Sequence, residues 1–160
     1  LYGEQINLTI SSKSTQITRI QLSVKCKNMD EQLKYPGMDA AASIFRKLGV
    51  DPNTRFSSGD QDFEYTSCEL SEIEDYIGLY IARDTSDKEK RVLGCFLLEC
   101  LNEYVSTNAS GYPKHSEIME LLHTDSKVHE SELEYWTNTE DPEKENWWPI
   151  TEYILEWRST

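Results

Sequence analysis

No catalytic or cofactor-binding motif is present in this sequence of 160 residues. It has no glycine-rich dinucleotide loop, no P-loop, no G-x-S-x-G nucleophile elbow and no H-E-x-x-H zinc motif. Long apolar runs are lacking too: the longest, Val92 to Leu98, is interrupted by Gly94 and is far too short to span a bilayer. No secretory leader is visible at the start. The sequence therefore predicts a protein that is not an enzyme and carries no cofactor.

Positive charge is scarce. The chain has 16 Lys and Arg residues against 29 Asp and Glu residues, which gives a formal net charge of -13. A nucleic-acid binder needs an excess of cationic side chains to contact phosphates, and an anionic membrane attracts the same kind of surface. Neither is an expected partner. A field of this sign favours association with a basic protein.

Cysteines are few and widely spaced. Cys26, Cys68, Cys95 and Cys100 form no C-x-x-C pair. Cys95 and Cys100 are five positions apart, about 140° around a helix, which is poor geometry for a disulfide or for joint metal ligation. We interpret the cysteines as small buried residues of a cytoplasmic protein in a reducing compartment.

The three histidines fall close together in the sequence, at His115, His123 and His129. Glu120 and His123 are three positions apart on a predicted helix, a spacing that permits joint ligation of a metal ion. His115 and His123 are eight apart, however, and a solvated polar helix face accounts for the same residues. No metal site is predicted. A small hydrolase or transferase that uses carboxylates or this histidine cluster is the alternative function from a different class.

We expect residues 1–160 to form a single α+β domain. Apolar and polar residues alternate over residues 6–10 and 20–26, which predicts an N-terminal antiparallel β-hairpin. A short strand is expected over residues 63–67. A capping-box pattern at Ser71 and Glu74 suggests a short helical turn. A buried strand is favoured over residues 76–82, because "YIGLYIA" is rich in β-branched and aromatic side chains.

Helices are expected in the rest of the chain. A capping box at Ser86 and Glu89 opens a long helix, about 87–105, whose apolar residues surround it and predict a central, buried position. The hairpin is expected to pack against it. Shorter helices are expected after residue 37, after Pro113, from a capping box at Ser131 and after Pro149. In the helix expected after Pro149, one face would comprise Ile150, Tyr153, Ile154 and Trp157. A strand is the competing interpretation of this segment.

The C-terminal region combines acidic and aromatic residues. From residue 115 onward there are twelve Asp and Glu against three Lys and Arg, a net of nine negative charges. A second acidic cluster lies at residues 60–75. Tyr and Trp anchors among charges are typical of protein interfaces, although a solvated helix face beside the core edge accounts for the same pattern. The predicted partner-binding residues are Glu132, Glu134, Tyr135, Trp136, Asp141, Glu143, Glu145, Trp147 and Trp148.

Together, size, charge and aromatic placement predict a small acidic binding protein that neutralises a basic partner. The most economical version is a bacterial immunity-type or antitoxin-type inhibitor of a cationic, nuclease-like toxin, because a nuclease must be basic to hold phosphates. A structural adaptor or dimerisation domain, whose acids serve only solubility, is the other alternative. Both acidic clusters, at residues 60–75 and 117–145, are candidates for the contact surface.

Overall fold

A long helix whose middle turns are buried on every side organises the fold. The computed structural model describes residues 36–108, 110–137, 139–140 and 143–159, and in it this helix, α4, runs Asp87–Asn108. The eight consecutive residues from Arg91 to Leu98 are all buried, so neighbouring elements cover α4 around its circumference. Its capping box is formed: the Ser86 N–H donates to the Glu89 carboxylate at 2.8 Å, and the Glu89 N–H donates to the Ser86 hydroxyl at 3.3 Å. The predicted central helix is confirmed.

Other helices pack around α4 in the described part of the chain, and these residues belong to one compact unit. Five of them contact α4, and the last packs on the two helices before it. Their bounds are α1 Met38–Lys47, α2 Phe63–Thr66, α3 Ile73–Tyr80, α5 His115–Thr124, α6 Ser126–Trp136 and α7 Thr151–Arg158, with 3-10 turns at Pro52–Thr54, Leu70–Glu72 and Lys144–Asn146.

The expected α+β class is wrong. Helix accounts for 68% of the structure, and no strand occurs within residues 36–159 where they are described. The strand expected over residues 63–67 is α2, and the one expected over 76–82 falls on α3. The buried residues of α3 recur at helical spacing, so packing against α4 outweighs the β preference of the aromatic and β-branched side chains. The hairpin predicted over residues 6–26 lies outside the described residues.

The C-terminal element is the helix α7. Ile150 and Ile154 are fully buried, and Tyr153 and Trp157 are half-buried, so the helical interpretation of this face is confirmed and the strand alternative is wrong. The predicted helix start at Ser131 is also wrong. That residue lies inside α6, which follows α5 after a single intervening residue and therefore begins a turn earlier than its capping-box pattern suggested.

An ion pair inside the protein fixes α6 against α4. Arg91 is 2% exposed, and its Nη2 donates to Oε1 of Glu132 at 2.6 Å and to the Ser131 hydroxyl at 3.1 Å. Its Nη1 donates to the Val128 carbonyl at 3.3 Å, and the Tyr65 hydroxyl donates to the other Glu132 oxygen at 3.4 Å. Removing one partner of such a buried pair costs about 3–5 kcal/mol. The pair therefore sets the position of α6 relative to both α2 and α4.

A second polar network fixes α6 about one helical turn before Glu132. His129 is fully buried, and its Nε2 lies 2.7 Å from the Tyr80 hydroxyl, which donates to Asp125 at 3.0 Å. Lys90 pairs with the same Asp125 carboxylate at 2.7 Å. Burial, together with the nearby charge of Arg91, lowers the pKa of His129 to about 3, so the imidazole is neutral at pH 7. This network fixes the junction between α5 and α6, where Asp125 lies, against Tyr80 of α3 and Lys90 of α4.

Gly94 makes room for that imidazole. A Cβ at Gly94 would lie 2.4 Å from both Nδ1 and Cε1 of His129. We expect Gly94→Ala to lower the free energy of unfolding by at least about 2 kcal/mol, because the ring would have to move and its hydrogen bond to Tyr80 would be lost. Urea unfolding followed by circular dichroism measures the change.

Gly78→Ala is the matched control. Gly78 is an exposed glycine in the interior of α3, and a Cβ there would meet nothing within 4 Å. Alanine is favoured over glycine in a helix by about 1 kcal/mol, so this variant is expected to be more stable than the parent. A Gly94→Ala protein that is also stabilised would contradict the packing described for His129.

Candidate functional site

Two large aromatic side chains lie exposed on one surface of the helical unit. Tyr135 at the end of α6 is 44% exposed, and Trp148 in the segment before α7 is 43% exposed. Their ring centroids are 5.9 Å apart, and both rings contact Trp136, which is 2% exposed, at 5.5 and 5.4 Å. Tyr65 stacks on Tyr135 at 5.9 Å. The result is one continuous aromatic patch on a buried tryptophan.

Carboxylates from three elements act on this patch. Burial raises the pKa of Tyr135, and the negative charges of Glu132, Glu99 and Asp62 raise it further. Glu99 is on α4 and Asp62 is the residue before α2, so the patch lies where α2, α4 and α6 meet. We call this surface the acid–aromatic face and define it as Asp62, Glu64, Tyr65, Glu99, Tyr135 and Trp148.

Two carboxyl groups of the face are costly to ionise. Burial raises the pKa of Glu64, and repulsion from Glu132 and Asp62 adds to the shift. Burial also raises the pKa of Glu99, to which repulsion from Glu103 contributes. Among the described residues neither Glu64 nor Glu99 forms a salt bridge, and Oε2 of Glu64 is buried without a hydrogen-bond partner there. A backbone hydrogen bond and the charge of Arg91 act in the opposite direction on Glu64, and a hydrogen bond with Asn102 does so on Glu99, but burial outweighs them.

The predicted partner-binding residues divide between surface and interior. Tyr135 and Glu134 are exposed, whereas Glu132 and Trp136 are buried and lie beneath the face rather than on it. Their side chains support Tyr135 and Tyr65 from below. Asp141 lies outside the described residues.

The two adjacent tryptophans before α7, Trp147 and Trp148, have different surroundings. Trp147 is half-buried in extended backbone, and the Lys144 ammonium lies 5.4 Å from its ring centroid. Trp148, next to it, belongs to the acid–aromatic face. Glu143 and Glu145 are exposed around the same 3-10 turn. The Trp147 ring therefore already contacts a cation of its own chain, whereas the Trp148 ring lies on the exposed patch.

The second acidic cluster, residues 60–75, contributes only part of itself to the face. Glu69 pairs with Arg55 at 2.7 Å and Glu72 pairs with the same guanidinium, while Glu74 pairs with Lys114. Those carboxylates have cations of their own. Of the other four carboxylates, Asp60, Asp62, Glu64 and Asp75, it is Asp62 whose charge acts on Tyr135 of the other cluster. The two acidic clusters thus meet on one surface.

Sequence reasoning missed Glu99 and Tyr65. Glu99 is charged yet lies within the apolar stretch of α4, and Glu103 follows it at i+4, where like charges repel. That pair is a signal in the sequence, because a central helix has no structural need for two carboxylates on one side. Tyr65 gave no such signal, since its neighbours on the face come from distant parts of the chain.

The histidines do not assemble a metal centre in the described residues, where no three His, Cys, Asp or Glu side chains are grouped to hold an ion. His115 packs edge-on against Tyr153 and His123 against Trp157. A groove of about 700 Å³ lies beside α7. Its lining comprises His123, Ser126, Glu130, Leu133, Trp157 and Arg158.

Comparison of the chain with protein-family models, with curated proteins and with solved structures gives no match. None of the helices described here has the length and apolarity that a membrane crossing requires. The acid–aromatic face is therefore the feature from which function has to be argued.

Neutralising the costly carboxylates should stabilise the free protein. We expect Glu64→Gln and Glu99→Gln each to raise the free energy of unfolding at pH 7 by about 0.5 kcal/mol, since glutamine keeps the shape and helix preference and removes a poorly solvated charge. A pKa raised by folding means that the charge opposes folding above the ordinary pKa of glutamate. The gain should therefore shrink as the pH falls towards 4.5, the ordinary value.

Glu74→Gln serves as the control with the opposite sign. Hydrogen bonds from Lys114 and Tyr112 lower the pKa of Glu74, so its charge favours folding at neutral pH. That variant is expected to be less stable than the parent at pH 7. Thermal unfolding at pH 7.5 and 5.5 measures all three. Loss of stability in the Glu64 and Glu99 variants would show that those carboxylates have a favourable partner.

Proposed function

We propose that this chain is a binding protein that docks a basic protein surface on the acid–aromatic face. The observation that carries the proposal is the exposed Tyr135–Trp148 pair, with the negative charges of Glu99 and Asp62 acting on Tyr135. Tyrosine and tryptophan are the side chains that most often dominate binding energy at interfaces. Carboxylates at their rim give charge complementarity to a cationic partner.

The energetics of the free protein support this direction. Holding Glu64 and Glu99 ionised in a poorly solvated position costs stability, and a cation from a partner would remove that cost on binding. The net charge of -13 would speed the encounter with such a partner. An interaction of this kind weakens as salt rises, because the encounter is screened.

Self-association through the same face is disfavoured. In a two-fold dimer each copy would present the same carboxylates to the other, and like charges at the interface oppose its formation. This surface therefore does not support the adaptor or dimerisation alternative. Binding, and not catalysis, is the function we propose.

Location and partner follow the same proposal. A cytoplasmic setting stays a prediction from the number and spacing of the cysteines in the sequence. Neutralising a cationic toxin is one form that the function would take, and it stays a prediction of the sequence.

A charge-matched pair of variants tests the proposal. The probe is a short synthetic peptide that alternates arginine and lysine with serine, titrated into the full chain by calorimetry at about 50 and 300 mM NaCl. We expect Glu99→Gln and Trp148→Ala to weaken binding by about tenfold, or about 1.4 kcal/mol. Glu120→Gln removes the same charge from α5, which contributes nothing to the face, and should change the affinity less than about twofold.

Equal effects of Glu99→Gln and Glu120→Gln would contradict the proposal, because the peptide would then respond to total charge and not to the face. Affinity that does not change with salt or with loss of Trp148 would contradict it as well.

A further inference from the structure

The aromatic rings of the acid–aromatic face indicate the kind of chain segment that docks there. We infer that the face recognises an extended, proline-containing segment of the basic partner, in the polyproline II conformation. The inference rests on the proposed function and names the backbone conformation and the side chain that contact the rings.

Four aromatic rings form a continuous surface here, and each contacts at least two of the others. The ring centroids of Tyr65 and Tyr135 are 5.9 Å apart, and those of Tyr135 and Trp148 are also 5.9 Å apart. The Trp136 ring lies 6.0, 5.5 and 5.4 Å from the rings of Tyr65, Tyr135 and Trp148. These distances are those of rings in direct contact. A ligand therefore lies across the exposed sides of Tyr135 and Trp148 and not in a slot between rings.

A buried hydrogen-bond donor lies among these rings. Trp136 is 2% exposed, and its indole Nε1 is buried without an acceptor among the described residues. Buried N–H groups are normally paired, so a ligand that supplies a carbonyl oxygen to this donor gains from the pairing. The Trp148 ring packs against Trp136 from a non-helical segment before α7, so it can turn aside without unwinding a helix.

Other common modes of peptide recognition do not suit this surface. Strand addition needs a sheet edge, and the described part of the chain contains no strand. Phosphopeptides are recognised by clustered arginines, whereas the charged residues of the face are Asp62, Glu64 and Glu99. A docked helix has its carbonyl groups hydrogen-bonded within itself, so its central turns have none to offer Trp136.

A polyproline II segment supplies what the other modes do not. Its backbone forms no internal hydrogen bonds, so its carbonyl oxygens are free to accept from the Trp136 indole. Its proline rings are compact and rigid, and they pack on exposed aromatic rings without a loss of side-chain entropy. Lysine or arginine residues beside the prolines complement the net charge of -13.

Three peptides of equal charge test the inference. Each has two lysines on either side of a central segment of four prolines, four alanines or four leucines, and each is titrated into the full chain by calorimetry. We expect the proline peptide to bind about tenfold more tightly than the alanine peptide, because it is preorganised and its rings contact the aromatic surface. The leucine peptide has a flexible backbone, so it should bind less tightly than the proline peptide despite its apolar side chains.

The outcomes separate the inference from the proposed function. Equal affinity for the proline and alanine peptides would overturn the inference and leave the proposed function intact. Tighter binding of the leucine peptide would also overturn the inference alone, because the face would then respond to apolar area and not to backbone conformation. Binding of the alternating basic peptide without any of these three would have the same meaning. Failure of every basic peptide would overturn both.

The indole N–H of Trp136 gives a readout that a general contact with the rings would not move. In nitrogen-labelled protein, saturation with the proline peptide is expected to shift the Trp136 indole proton signal downfield, because the buried donor gains a carbonyl acceptor. The alanine peptide at equal concentration should shift it less. An unchanged Trp136 signal in the complex with the proline peptide would overturn the inference.

A variant pair locates the preference on the face. Trp148→Ala removes one of the two exposed rings, so its preference for the proline peptide over the alanine peptide should fall to less than about threefold. Ile81→Ala removes another exposed apolar side chain, at the end of α3, and should keep the full preference. Circular dichroism verifies that both variants are folded. A folded Trp148→Ala protein that still prefers proline by about tenfold would overturn the inference.

Discussion

The ion pair between Arg91 and Glu132 links the core of this protein to its surface. It lies between the central helix α4 and the helix α6, and Glu132 also accepts a hydrogen bond from Tyr65 on α2. A buried pair of this kind adds little net stability compared with well-packed apolar residues, but it defines where the paired elements lie. Here it defines where α6 ends, and therefore where Tyr135 and Trp136 are placed.

The same pair shapes the electrostatics of the face. The charge of Glu132 raises the pKa values of Glu64 and Tyr135, after the effect of burial, so a residue that holds the fold together also acts on the ionisation of the surface above it. Several carboxylates elsewhere pair with a cation. Although burial opposes it, hydrogen bonds from the Ser86 N–H and from Lys47 lower the pKa of Glu89 to about 2. Glu64 and Glu99 differ from these, because burial raises their pKa values.

Periodicity predicted the helices well where caps and apolar spacing agreed. The capping box at Ser86 and the apolar face around Ile150 and Ile154 both identified real elements, because each depends on contacts within a few residues. The strand expected over residues 76–82 failed because local β preference competes with packing on α4, which no local pattern contains. The parts of the site depend on still longer contacts: whether Trp136 or Trp148 is buried follows from the position of α6, and Glu99 joins Tyr135 only through that packing.

The most direct measurement of the account is a map of where a basic peptide touches the four tryptophans. In nitrogen-labelled protein the indole N–H signals are separate probes, and Trp148 lies on the acid–aromatic face while Trp157 lies in the groove beside α7. The account predicts that titration with the alternating basic peptide shifts the signals of Trp148 and of Trp136 beneath it, with the Trp157 signal unchanged. A shift at Trp157 with Trp148 unaffected would contradict it.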